Sequence, residues 1–143
     1  MVVSVPEPAP LPPEPPPPQL IFGTPSHLTS FPKGTKYVDE LASFVIRRAK
    51  QGRSPVREDE VLVRFVGWTA EGREFDSALE PTKLRMGLVT EGWRRALQLM
   101  TPGEQRRVWI PAELAYGERA DDPRRPGGDL VIDIELVAIV EPP

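Results

Sequence analysis

The sequence has no cysteine and a single histidine, His27. The first absence excludes disulfides, thiolate metal sites and cysteine nucleophiles, and it leaves the redox compartment open. The second leaves everything after residue 34 without a histidine base, a histidine metal ligand or a Ser-His-Asp triad. Charge of one sign is also lacking. The 18 basic and 21 acidic residues are interspersed, and no basic stripe of the nucleic-acid-binding kind appears. No apolar run approaches the length that spans a bilayer, so no transmembrane segment is expected. The opening MVVSVPEPAP has neither a basic n-region nor a long apolar h-region. The expectation is therefore a soluble chain, cytoplasmic by default. The cell envelope or periplasm is the alternative if a targeting segment has been removed.

Proline, by contrast, is abundant and unevenly placed. Eleven of the 19 prolines precede residue 34, and nine fall in the first 18 positions. The run PEPAPLPPEPPPP has too few apolar side chains to bury and too few amide donors for helix or sheet. It reads as a solvated polyproline II tether, with presentation of PxxP motifs to a partner as the less favoured reading. Residues 1–34 are thus expected to be a proline-rich tail and residues 35–141 one globular domain. The stretch 19–36, with Phe22 and Phe31 among turn residues, has no assignment.

Four strand-like stretches and one helix follow. ASFVIRR (42–48) is rich in β-branched and aromatic residues. EVLVRFVGW (60–68) places Val61, Val63 and Phe65 on one face. QRRVWI (105–110) puts Val108 and Ile110 together and turns Trp109 away. In LVIDIELVAIV (130–140), Leu130, Ile132, Ile134 and Leu136 alternate with Val131, Asp133, Glu135 and Val137. That is the pattern of a strand with one dry and one wetter face. Trp68 and Trp109 are expected on the outer face of the sheet.

The helix begins with Thr90 as N-cap and Glu91 in the first turn. Trp93, Ala96, Leu97 and Met100 stand at i, i+3, i+4 and i+7 and form one apolar stripe. Arg94, Arg95 and Gln98 take the outer side, and Pro102-Gly103 ends the helix. Such a stripe is buried only against a sheet. On pattern alone, Trp93 reads as plain core packing, Asp76 as a maker of a local turn bond, and Tyr116 as a buried tyrosine with an incidental hydrogen bond.

Several segments in order carry a resemblance. VLVRFVGWTAEGREFDSA (61–78) is followed by GLVTEGWRRALQLMTPGEQRRVWIP (87–111), then by ELAYG (113–117) and the closing LVIDIELVAI. Together they resemble an FKBP-type peptidyl-prolyl isomerase domain, the macrolide-binding immunophilins, in a bacterial-looking form. The resemblance implies an α+β fold, an antiparallel sheet of about five strands wrapped around one short helix. It implies a pocket with Trp93 as floor and Phe65, Phe75, Val89, Thr90, Tyr116 and Ile132 as walls. Asp76 becomes the carboxylate at the rim. Asp76, Phe75, Trp93 and Tyr116 are then the expected catalytic residues, and Phe65, Val89, Thr90 and Ile132 the substrate-binding ones. The expected partners are proline-containing peptides or protein clients, with macrolides as a candidate ligand class. No cofactor, metal or nucleic acid is expected.

The implied activity is cis-trans isomerisation of X-Pro bonds. The alternative is an FKBP-like binding or chaperone domain with little or no catalysis, presented on its tether. Departures from the family pattern bear on that choice. Phe65 replaces the usual tyrosine whose hydroxyl reaches the carboxylate. Thr90 and Ile132 replace a branched aliphatic and an aromatic. The stretch between Asp76 and Trp93 is short by a few residues and lacks an aromatic. The loop 118–129 is charged where apolar pocket-covering side chains are common. Together these predict a wider, wetter pocket with reduced activity and macrolide affinity.

Overall fold

The structure, a computed structural model, describes residues 33–38, 40–49, 52–119 and 121–141. Residues 1–32 of the stretch expected to be a proline-rich tail, with Phe22, His27 and Phe31, lie outside the described residues. Within them the strands are β1 (Lys36–Val38), β2 (Leu41–Arg47), β3 (Glu60–Thr69), β4 (Glu74–Arg85), β5 (Gln105–Ile110), β6 (Asp121–Asp122), β7 (Arg125–Pro126) and β8 (Leu130–Val140). Helix α1 spans Glu91–Gln98, and a 3-10 turn spans Ala112–Leu114. Six strands form one antiparallel sheet in the order β1-β2-β5-β8-β3-β4, and β6-β7 is a separate two-stranded hairpin. The fold is α+β, as the sequence implies. The sixth strand of the sheet is the short edge β1.

The β3-β8 ladder is the spine, running from Glu60 opposite Val140 to Thr69 opposite Leu130. On one side of the sheet Leu130, Ile132, Ile134 and Leu136 join Val61, Val63, Val108 and Ile110 in a buried cluster. Trp93, Ala96 and Leu97 of the helix complete that cluster with Met100, which lies two residues past the helix end, the helix stopping at Gln98 rather than running to Pro102-Gly103. Fully burying each large apolar side chain contributes about 1.5–3 kcal/mol, so this cluster is the main stabilising element. The alternation does not run the whole length of β8. A register shift between Leu62 and Val63 inserts one extra residue in β8, so Ile139 packs against the core in place of its even-numbered neighbours.

The other side of the sheet corrects an expectation. Val131, Asp133 and Glu135 are 2%, 0% and 6% exposed, so the face expected to be wetter is dry. Arg107 donates to Asp133 Oδ1 at 2.6 Å and Oδ2 at 2.9 Å, and its guanidinium lies 5.6 Å from the Trp68 ring. Arg64 donates to Glu135 at 2.9 Å. Charged residues can sit in this face because each has a buried partner one strand away. Trp68 and Trp109 lie on this outer side, in small apolar clusters with Val66 and with Ala42 and Val131.

The helix is seated very close to the sheet. A Cβ added to Gly92 would stand 2.3 Å from Ile110 Cγ2 and 3.0 Å from the Leu114 carbonyl oxygen. Gly92→Ala is therefore expected to cost about 1–3 kcal/mol, through forced displacement of α1. Urea denaturation measures it, and an unchanged midpoint would show that the helix shifts freely. Outside the contact, Glu91 is bonded to Arg94 and, at 3.1 Å, to Arg95. Among the described residues no helix is long and apolar enough to cross a membrane.

Candidate active site

Seven of the eight residues singled out in the sequence line one cleft of about 350 Å³ between α1, β3, β4 and the Tyr116 turn. The eighth, Ile132, does not. It is fully buried, paired with Gly67 and Val108 in the sheet, in the same core cluster as Trp93. Its place at the centre of the sheet leaves it no free surface. A groove of similar size, about 360 Å³, involves Tyr37, Trp109 and Pro111 and contains none of the eight.

Trp93 enters the cleft from the first turn of α1. Its ring meets Phe65 edge-on, with centroids 5.0 Å apart and planes at 87°. Phe65 comes from the helix side of β3, opposite Ile134 of β8 and Ala78 of β4. Phe75 owes its position to a register shift between Gly67 and Trp68, which leaves it as the extra residue on β4. Its ring then lies over Gly67, where a Cβ would approach its Cζ to 2.7 Å. Glycine is needed at 67 because the aromatic wall occupies the space of a side chain.

Thr90 is the N-cap of α1, yet its side chain makes no capping hydrogen bond. Its carbonyl accepts the first helical bond, from Arg94 N–H at 3.0 Å, and its side chain lines the cleft. Tyr116 follows the 3-10 turn. That turn is pinned by Asp129, whose Oδ1 accepts from Ala112 N–H at 3.0 Å. Among the described residues the Tyr116 hydroxyl has no hydrogen-bond partner. Burial pushes its pKa above the usual tyrosine value; Arg125 opposes that shift, while Asp76 and Asp122 add to it. The phenol therefore keeps its proton, and that proton is free to donate.

At the rim, Asp76 Oδ1 accepts from its neighbour Ser77 N–H at 2.9 Å and from Arg124 at 3.2 Å. The local turn bond is real, and it leaves the carboxylate in the cleft wall. Arg124 supplies the partner that a tyrosine at position 65 would have offered. Three further lining residues were not singled out: Leu84, Leu88 and Arg125. Leu88 is 79% exposed, an apolar side chain at the mouth next to Val89. The sequence pattern did not distinguish it, because its exposure is set by the fold. Arg125 belongs to the charged loop 118–129, which forms the β6-β7 hairpin rather than an apolar cover.

The family model for the FKBP-type peptidyl-prolyl cis-trans isomerase matches residues 51–137 of the chain. The chain belongs to this family. The FKBP15-2 peptidyl-prolyl cis-trans isomerase of Arabidopsis thaliana is 37% identical over 131 residues, covering 87% of this chain and 80% of that protein. Among solved structures, FkpA from Escherichia coli superposes with a TM-score of 0.71 at 33% identity, over 78% of this chain and 54% of that one. A peptidyl-prolyl cis-trans isomerase from Pseudomonas syringae gives 0.70 at 34% identity, over 77% of this chain and 84% of its own. The FKBP-type match starts after β2, so β1 and β2 extend the sheet beyond the matched residues.

Proposed function

We propose that the cleft isomerises X-Pro bonds of proline-containing peptides or protein clients, without a covalent step. The observation that carries this reading is an aromatic cleft, floored by Trp93, with one phenol free to donate. A peptide C–N bond resists rotation by ~18–20 kcal/mol because resonance keeps it planar. The twisted state has lost that resonance and its carbonyl is less polar. The aromatic and aliphatic walls of the cleft disfavour the planar, polar ground state relative to it, and no base or metal is required. The proline ring rests on Trp93 between Phe65 and Phe75. Tyr116 donates to the carbonyl of the residue before proline, Val89 and Thr90 close the wall, and Asp76 sets the field at the rim. Ile132, buried with Trp93, backs the floor instead of touching substrate. A macrolide would occupy the same cleft and compete with proline.

The direct test is NMR exchange on an Ala-Leu-Pro-Phe peptide. Exchange broadening that grows with protein concentration is expected, and its absence at high protein concentration would sink the isomerase. A second reading, a binding or chaperone domain with weak catalysis, draws on the rim charge and on the missing hydroxyl at Phe65. It predicts that peptide shifts Trp93 emission while exchange stays slow.

Tyr116 provides a sharper check. Loss of one hydrogen bond made in the transition state is worth roughly tenfold in rate, so Tyr116→Phe should lower kcat/KM by about that factor. Because burial raises the Tyr116 pKa, the donor is present at all pH below the ordinary tyrosine range. The wild-type rate should then stay flat between about pH 7 and 9. A fall across that window that vanishes in Tyr116→Phe would contradict the raised pKa, and a Tyr116→Phe rate equal to wild type would remove the donor role.

A further inference from the structure

Arg125 lines the cleft, and the reaction just described makes no use of its charge. It is exposed, on β7, and among the described residues it has no ion-pair or hydrogen-bond partner for its side chain. Its neighbour Arg124 is different, being paired with Asp76 at 3.2 Å. The hairpin that presents Arg125 is tied down at several points. Gly128 N–H donates to the Gly117 carbonyl at 2.9 Å and closes the base of the loop. Arg73 donates to the Pro123 carbonyl at 3.4 Å, joining the tip to the β3-β4 turn. Arg124 N–H donates to Asp122 Oδ1 at 2.9 Å.

We propose that Arg125 makes the cleft select X-Pro bonds in which X is acidic. This rests on the isomerase reading, and specifically on Tyr116 donating to the carbonyl of residue X. Arg125 and Tyr116 line the same cleft, so the guanidinium stands near that carbonyl and near the side chain of X. Asp76 and Asp122 also act at the Tyr116 phenol, in the opposite sense to Arg125. Asp76 is held by Arg124, and among the described residues Asp122 makes no ion pair with Arg125, so the guanidinium is open to a ligand carboxylate. A guanidinium fork matches a carboxylate with two parallel N–H···O bonds. Aspartate or glutamate at X satisfies it, leucine leaves it hydrated, and lysine is repelled.

The experiment compares kcat/KM, by NMR exchange, for Ala-Glu-Pro-Phe, Ala-Leu-Pro-Phe and Ala-Lys-Pro-Phe. It uses the full chain and its Arg125→Gln and Arg125→Glu variants, each checked for an unchanged Trp93 emission spectrum. One exposed charge pair is worth up to about fivefold, so the wild type should turn over the glutamate peptide about fivefold faster than the leucine peptide. The glutamate-to-lysine ratio should be larger, collapse in Arg125→Gln, and invert in Arg125→Glu. It should also shrink in about 1 M NaCl, where the screening length falls to about 3 Å. Turnover with a glutamate-to-leucine ratio at or below one, or a ratio that Arg125→Gln leaves unaltered, would overturn the selectivity. No turnover of any peptide would overturn the isomerase reading instead, and the selectivity with it.

Discussion

Trp93→Leu is expected to lower kcat/KM by roughly 30- to 100-fold, about 2–3 kcal/mol of transition-state stabilisation. A millionfold acceleration requires about 8 kcal/mol in all, and an aromatic cleft must supply it by desolvation and positioning. Trp93 lines that cleft and is the edge-on partner of Phe65. Leucine keeps the position apolar but removes the flat surface, so Phe65 loses its partner and water gains entry. The residue is also part of the core, only 8% exposed, and the exchange of tryptophan for leucine lowers stability as well. The measurement is therefore made well below the variant's Tm, at a temperature where its circular dichroism matches the wild type. A rate within threefold of wild type in a folded variant would remove Trp93 from the catalytic reading.

The second large effect is on stability and lies on the opposite side of the sheet. Asp133→Ala should destabilise the domain by about 3–5 kcal/mol, because it strands the Arg107 guanidinium in a face with no water. Both partners are buried, with side chains 5% and 0% exposed for Arg107 and Asp133. The same pair replaced together, Arg107→Met with Asp133→Leu, should recover most of the loss or exceed wild-type stability. Breaking a buried pair costs far more than exchanging it for apolar residues of similar volume. Guanidinium denaturation of the two single variants and the double variant gives the cycle. Additive losses would show that the two side chains do not act as a pair.

The fold was legible wherever one face of an element is buried. The alternation in 60–68, 105–110 and 130–136 and the stripe that starts at Trp93 lead to the observed elements, although the helix stops at Gln98, short of Met100. It failed at the edges. β4 carries Phe75 and Asp76, yet its exposed faces and Pro81 leave no period-two pattern, so only the motif resemblance pointed to it. β1 and the β6-β7 hairpin are too short to register a period at all. Asp133 and Glu135 misled for another reason. A charge in an alternating pattern signals water unless a partner strand brings an arginine opposite, and that depends on the β5-β8 and β3-β8 pairings. Trp93 shows the two readings merging, since it packs in the core and lines the cleft as well.

By itself the sequence determined the chemistry that is open to this protein. Without cysteine, and with its one histidine at position 27, the chain has an aromatic cleft and a phenol to work with. The order of its FDS, GW and AYG segments determined the family. The tertiary structure alone decided how the cleft is dressed. It moved Ile132 into the core, gave Asp76 an arginine partner 48 residues away, and set Arg125 at the wall with its charge unspent. Periodicity reports which face of an element is dry. Which charge meets which across a rim depends on how distant loops close, and local sequence does not encode that.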